Sequence, residues 1–273
     1  MATPSLFVSH GAPTFAMEPG LAGAQLRALG AALGQPTGIV IVSPHWMTRG
    51  VAVTASAQPA TIHDFGGFPA ALYRLHYPAP GAPALAARAA QLLQALGQPV
   101  RLDETRGLDH GAWVPLMHMY PDADVPVVQV SMPHDTTEAT AYALGRALAP
   151  LAQDGVLVIG SGSLTHNLYE FRTGEVKAAD YAIEFTHWIR SAVRRGDTAA
   201  LLHALRDAPH AHRAHPTPDH YLPLLVAAGA AADATPVTVL DGGIRHGMLA
   251  MESYLFGQTV TLTVQDTPEP AHA

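Results

Sequence analysis

The feature that most limits what this chain can become is an alternation. Five short runs rich in β-branched residues, Leu6–Val8, Ile39–Val42, Val127–Val130, Val156–Ile159 and Val237–Leu240, recur along it. Between them lie longer Ala/Leu-rich segments at helical spacing, among them Gly20–Leu33, Ala82–Leu96, Thr136–Leu151 and Ala178–Arg195, with Gly or Pro near their ends. Runs this short and this apolar read as strands buried on both faces, and the intervening helices supply the two covers. The pattern predicts an α/β fold, a single three-layer domain with a mostly parallel central sheet flanked by helices. A length of 273 residues leaves room for two domains. The Pro/Gly-rich stretch Tyr77–Pro83 is short and lies between elements, however, and no repeat of about 20 to 50 residues is visible. One domain over residues 1–265 is therefore expected, followed by a flexible tail at 266–273.

Composition narrows the function classes. Hydrophobic residues make up 48% and charged residues 14%, which suits a packed core and excludes a disordered or coiled-coil chain. Net charge is −7, and Lys177 is the only lysine among 15 basic residues, so no broad positive surface exists to hold a nucleic-acid backbone. Leu6-Phe7-Val8 is followed at once by Ser9-His10, unlike the apolar core of a signal peptide. The stretch Leu224–Ala232 falls short of the roughly 18 residues that span a bilayer. No membrane association is expected, and the predicted location is cytoplasmic. Cysteine is absent, which leaves any metal to imidazole and oxygen ligands. Histidine, by contrast, occurs 16 times, more often than Lys and Arg together.

Where those histidines fall is informative. In open α/β sheets ligands bind beyond the carboxyl ends of the strands. The first strand exits into Ser9-His10-Gly11, the second into Ser43-Pro44-His45-Trp46, and the fourth into Gly160-Ser161-Gly162-Ser163-Leu164-Thr165-His166-Asn167. Three imidazoles leaving parallel strands in one direction can meet at one edge of the sheet. His134, after the third strand, reads instead as part of a helix start in His134-Asp135-Thr136-Thr137. His110 lies in the Gly-flanked turn Leu108-Asp109-His110-Gly111. The segment His210–Tyr221 carries His210, His212, His215 and His220. There His210 and His212 read as surface-loop residues, while Pro216 and Pro218 place Asp219 and His220 at the first turn of the helix that follows. Two or three imidazoles plus water or a carboxylate suit a mononuclear Fe, Zn, Cu or Ni site. Gly160–Ser163 lacks the Lys of a phosphate loop and the spacing of a serine-hydrolase elbow.

Taken in order, Ser9-His10-Gly11, Ser43-Pro44-His45-Trp46, Asp64-Phe65-Gly66-Gly67-Phe68-Pro69, Leu108-Asp109-His110-Gly111, Gly160–Asn167, His215–His220 and Gly243–Gly247 resemble the class III extradiol ring-cleavage dioxygenases, in their DOPA 4,5-dioxygenase-like branch. The likeness runs from about Ser5 to Phe256. It implies one divalent metal, Fe(II) for activity with Zn(II) as a plausible bound form, a small catecholic substrate and O2, and a role in aromatic compound catabolism. By the same resemblance His10, His45 and His220 are the metal ligands, with His220 where the protocatechuate branch uses a glutamate. His110 resembles the histidine that contacts dioxygen or substrate. His166 resembles the active-site base, or else completes the metal sphere.

Nearby residues read in two ways. Trp46, Phe65, Phe68 and Trp113 either stack on a substrate ring or pack in the core. Thr165 and Asn167 flank His166 in positions to orient it. Arg245 is either a carboxylate receiver or a surface residue. Two further function classes use the same residues: a zinc-dependent hydrolase or amidase holding an activated water at His10, His45 and His220, and a non-catalytic binding protein. Oxygen uptake on adding a catechol separates the first from a dioxygenase.

Overall fold

The computed structural model describes residues 2–174, 176–231 and 236–263. Its centre is an eight-stranded sheet. In chain order the strands are β1 (Ser5–Ser9), β2 (Gly38–Thr48), β3 (Val51–Thr54), β4 (Val100–Asp103), β5 (Val127–Pro133), β6 (Val156–Gly162), β7 (Val237–Leu240) and, after the small hairpin of β8 (Ile244–Arg245) and β9 (Leu249–Ala250), β10 (Ser253–Phe256). Across the sheet the order is β4-β3-β5-β2-β6-β1-β10-β7. The four central strands β5, β2, β6 and β1 run parallel. Antiparallel pairing appears toward the flanks, between β3 and β5, β1 and β10, and β10 and β7. The sheet is thus mostly parallel within a single α/β domain.

Helices α1 (Gly20–Leu33), α2 (Pro83–Leu93), α3 (His110–Met119), α4 (Glu138–Leu148), α5 (Asp180–Arg194), α6 (Thr198–Asp207), α7 (Ala211–Ala214) and α8 (Leu222–Ala230) fill the other layers. Successive strand residues point to opposite faces, and β6 shows this directly. Ile159 meets Leu26 of α1 with Leu116 and Met119 of α3, whereas the next residue, Gly160, faces α8. A Cβ at Gly160 would lie 1.9 Å from the Pro223 carbonyl oxygen, so only glycine lets α8 lie this close to the sheet. Covered by α4 on its other side, α8 is buried almost all round.

Four of the five apolar runs lie inside fully buried strands or strand segments; Val237–Leu240 is the exception, a half-buried edge strand, because its register with β10 leaves it one neighbour. The predicted helix ends move inward where the chain tightens into 3-10 turns: Ala82–Leu96 becomes α2 plus a turn at Gln94–Leu96, and Thr136–Leu151 becomes α4, capped by Thr137, plus Ala149–Asp154. The tail expected over 266–273 lies outside the described residues. No helix among the described residues is long and apolar enough to cross a membrane.

Candidate active site

The parallel strands β2, β6 and β1 are neighbours, so their carboxyl ends lie side by side. His10 follows β1 directly, its N–H bonded to the Gly162 carbonyl at the end of β6. His45 is not beyond β2, as the apolar run suggests, but inside it. The ladder with β5 breaks between Val42↔Val130 and Met47↔Met132, leaving Ser43–Trp46 opposite Ser131. Pro44 has no N–H to give the ladder, and a bulge there turns His45 out of register toward the site.

His166 sits on the loop after β6, its N–H donated to Ala214. The His210–Tyr221 segment docks against that loop. Ser163 N–H donates to the His220 carbonyl, His215 Nε2 to the Leu164 carbonyl, and Asn167 to the Arg213 carbonyl. Gly162 permits the approach, since a Cβ there would lie 2.3 Å from the His220 oxygen. His220 lies in a turn ahead of α8 rather than in the helix's first turn, which starts at Leu222.

His110 opens α3. Asp109 caps the helix by accepting from Ala112 N–H, and Asp64 takes both the backbone N–H of His110 (2.9 Å) and its Nδ1–H (3.0 Å). Gly111, with Ser43 Oγ 2.3 Å and His45 Cδ2 3.0 Å from where its Cβ would be, lets this helix start press against the bulge of β2.

All five imidazoles named from sequence therefore meet. His10 Nε2 and His45 Nε2 are 3.1 Å apart. The His110 ring centre is 4.0 Å from that of His45 and 5.4 Å from that of His10. The His220 ring centre is 5.1 Å from His45 and 5.4 Å from His10, and His166 stacks flat on His220 at 3.5 Å. Two carboxylates whose roles the sequence does not reveal complete the ring of partners: Asp64, on His110 and 3.7 Å from His45 Nδ1, and Asp219, which accepts from His220 Nδ1 at 2.5 Å. Asp64 carried a signal, an acid just ahead of a Gly-Gly turn, but nothing in the chain order pairs it with His110, 46 residues on.

The electrostatics favour neutral imidazoles. Burial, then the neighbouring imidazoles beginning with His45, hold His10 well below the usual histidine range. Burial and His110 do the same to His45, against the opposing pull of Asp64. Burial and His220 push His166 down to about 3. Neutral rings keep one lone pair each, the form in which histidine binds a cation. With their Nδ1 atoms donated to Asp64 and Asp219, His110 and His220 keep Nε2 for that purpose. Nitrogens held about 2.1 Å from one ion at near-right angles lie about 3 Å apart, as His10 and His45 do. Ligand atoms of His10, His45 and His110 all fall within 4.8 Å of one another, as do those of His166, Asp219 and His220. The residues present fit a divalent metal.

The surrounding residues divide. Phe65 meets the His110 ring edge-on at 5.6 Å and packs with the half-buried Phe68, forming an aromatic wall at the site. Trp113 is core, fully buried with its Nε1–H on the Ile62 carbonyl, and Trp46 is buried under Arg106. Thr165 and Asn167 do not bond the His166 ring. They fasten the loop on either side of it, Thr165 to Met248 and Ala250, Asn167 to Arg213. Arg245 pairs with Glu18 at 3.3 Å in a shallow groove shared with Thr14 and Leu21. His134, His210 and His212 are exposed.

Comparison with known proteins agrees with this architecture. Residues 8–257 match the family described as the catalytic LigB subunit of aromatic ring-opening dioxygenase. A protein of Escherichia coli K12 named 4,5-DOPA dioxygenase extradiol is 42% identical over 93% of this chain and 94% of its own. One of the same name from Beta vulgaris is 39% identical over 93% and 97%. The crystal structure of an uncharacterized protein from Escherichia coli K12 superposes with a TM-score of 0.77 at 36% identity, covering 93% of this chain and 100% of that one.

Proposed function

The chain belongs to the LigB family and is an extradiol aromatic ring-opening dioxygenase, and from that premise we propose that it opens a DOPA-like catechol around one divalent ion held by His10, His45 and His220. The observation that supports this most is the meeting of five imidazoles from five separate segments at one sheet edge, with His10 and His45 nitrogens at ligand spacing. Iron(II) bound there would acidify a chelated catechol hydroxyl and bring the catechol, which supplies the electrons, together with dioxygen. Zinc(II) suits the same three neutral imidazoles, with no carboxylate among them, as a resting occupant.

The chain's own residues do the rest. His166, kept uncharged by burial, offers a lone pair to the ring hydroxyl and acts as the base. Asp64 locks the His110 ring through Nδ1, so that Nε2 is the nitrogen presented to dioxygen and substrate. Phe65 and the half-buried Phe68 shield that side from water and give the aromatic ring an edge to pack against.

The test is anaerobic loading with Fe(II), then a panel of catechols including DOPA in air. Oxygen uptake with the absorbance of a yellow ring-opened semialdehyde is expected. No uptake with any catechol would sink the reading. A second ligand set, His10, His45 and His110, is favoured by the shorter His45–His110 distance. Metal content of His110→Ala and His220→Ala decides between the two sets.

A further inference from the structure

Helix α3 contains Pro115, four residues after Gly111. In a regular helix the Gly111 carbonyl would accept the N–H of residue 115, but proline has none. That carbonyl takes a different donor, the hydroxyl of Ser161 at 2.5 Å, across 50 residues of sequence. Ser161 is fully buried in β6, and its Oγ also lies 2.9 Å from His10 Nδ1.

Proton counting then leaves one arrangement. A carbonyl oxygen only accepts, so the single hydroxyl proton of Ser161 is committed to Gly111. Toward His10 the same oxygen has only lone pairs, so Nδ1 of His10 must carry the hydrogen. Its other nitrogen, Nε2, is left with a free lone pair, and it is this nitrogen that faces His45 Nε2 at 3.1 Å. We propose that Pro115, Gly111 and Ser161 form a relay that sets the His10 tautomer, making Ser161 and Pro115 positioning residues for the metal ligand. The missing helix hydrogen bond removes the usual competitor for the Gly111 carbonyl, which favours the Ser161 proton there and the serine oxygen as an acceptor toward His10. Were residue 115 to donate to Gly111, the Ser161 proton would be free to turn to His10 Nδ1, and Nε2 would carry the hydrogen instead.

The inference rests on His10 being a metal ligand, so the experiment includes His10→Ala as a marker of that reading. Zinc(II) affinity of the metal-free protein is measured by chelator competition for wild type, His10→Ala, Ser161→Ala and Pro115→Ala, alongside thermal unfolding. The His10 tautomer is read from imidazole 15N shifts of the metal-free protein, assigned by comparison with His10→Ala. Loss of an outer partner of a ligating histidine lowers metal affinity by about 10–100-fold. Both relay variants are expected to fall by that factor. Pro115→Ala also regains a helix hydrogen bond, so it should melt no lower than wild type while binding zinc more weakly, with hydrogen moved to His10 Nε2. A purely structural role cannot move stability and affinity in those opposite directions. If Ser161→Ala fails to fold, Pro115→Ala alone carries the test. Should Pro115→Ala bind zinc within twofold of wild type with its His10 tautomer unchanged, the relay is refuted. Should His10→Ala itself bind zinc as wild type does, it is the metal assignment that fails.

Discussion

Gly162→Ala is a small change with a large expected effect, and the structure says how large. A Cβ at this position would sit 2.3 Å from the His220 carbonyl oxygen, below the 3.0 Å that real Cβ contacts respect, so that carbonyl must withdraw by about 0.7 Å or more. The movement strikes the Ser163 N–H bond to His220 and, through Gly162's own carbonyl, the N–H bond of His10. Misplacing a reacting group by about 1 Å costs on the order of 100-fold in rate. Overpacking by itself costs about 1–3 kcal/mol of stability wherever it occurs. The control is Gly229→Ala, whose Cβ would lie 2.2 Å from the Tyr142 carbonyl at the contact of α8 with α4. Both variants should lose comparable stability in urea. Only Gly162→Ala should lose about 100-fold in turnover per bound iron, measured as oxygen uptake with a catechol. Equal turnover in the two variants would refute the claim that this glycine exists to seat His220.

Other consequences are as specific. His220→Ala should lose metal by more than the ~10–100-fold typical of an outer partner, whereas His110→Ala should keep its metal and lose turnover; metal analysis beside steady-state rates reads both, and the reverse pattern would transfer the ligand role to His110. Arg190→Met leaves the buried Glu252 carboxylate without its guanidinium and should cost about 3 kcal/mol, the low end for a broken buried pair because Arg190 keeps some solvent; urea titration measures it. For the metal-free protein, burial pushes His215 down to about 4 and His166 to about 3, below an unfolded value near 6.5. The folded state then binds fewer protons than the unfolded one as pH falls through that window, so stability is full above about 6.5 and is lost toward 4, by about 3 kcal/mol for His215 alone. Unfolding free energies between those pH values should show the decline, and His215→Gln should make it shallower by the His215 share, leaving that of His166.

Much of this was legible in the chain, for a physical reason. A strand buried on both faces must be apolar along its whole length, so Val127–Val130 and Val156–Ile159 announce themselves. The chemistry of a doubly wound sheet is confined to strand ends, so the polar residue that stops each run is already a site candidate. His10 and His166 stand out that way. Shorter or more exposed elements carry a weaker signal: β3 and β10 are buried but only four residues long and are completed by partners distant in sequence, and the exposed middle of β4 makes Val100–Asp103 look like a loop. Pro44 reads as a stop in the sequence, yet β2 runs on to Thr48. In the fold it marks a bulge, and the strand resumes through Met47 and Thr48.

The neighbours of the histidines lie elsewhere than their place in the chain suggests. Thr165 and Asn167 looked like partners of the His166 ring because they adjoin it in sequence, yet adjacent residues in an extended loop point apart, and theirs hold backbone elsewhere. Of the residues that do bond the imidazoles, Asp219 adjoins its partner His220, but Asp64 and Ser161 lie on other segments, 46 and 151 positions from theirs. A ligand type is dictated by the ion and so leaves a compositional trace. Its outer partner need only offer an oxygen at the right place, and any of many residues can do so. The asymmetry reaches Pro115, which no periodicity argument would place near the site. A helix interior is where proline is least expected, and such a violation of local preference is most readily explained by what the freed carbonyl does. Here it takes the Ser161 proton, which leaves the serine oxygen able only to accept from His10.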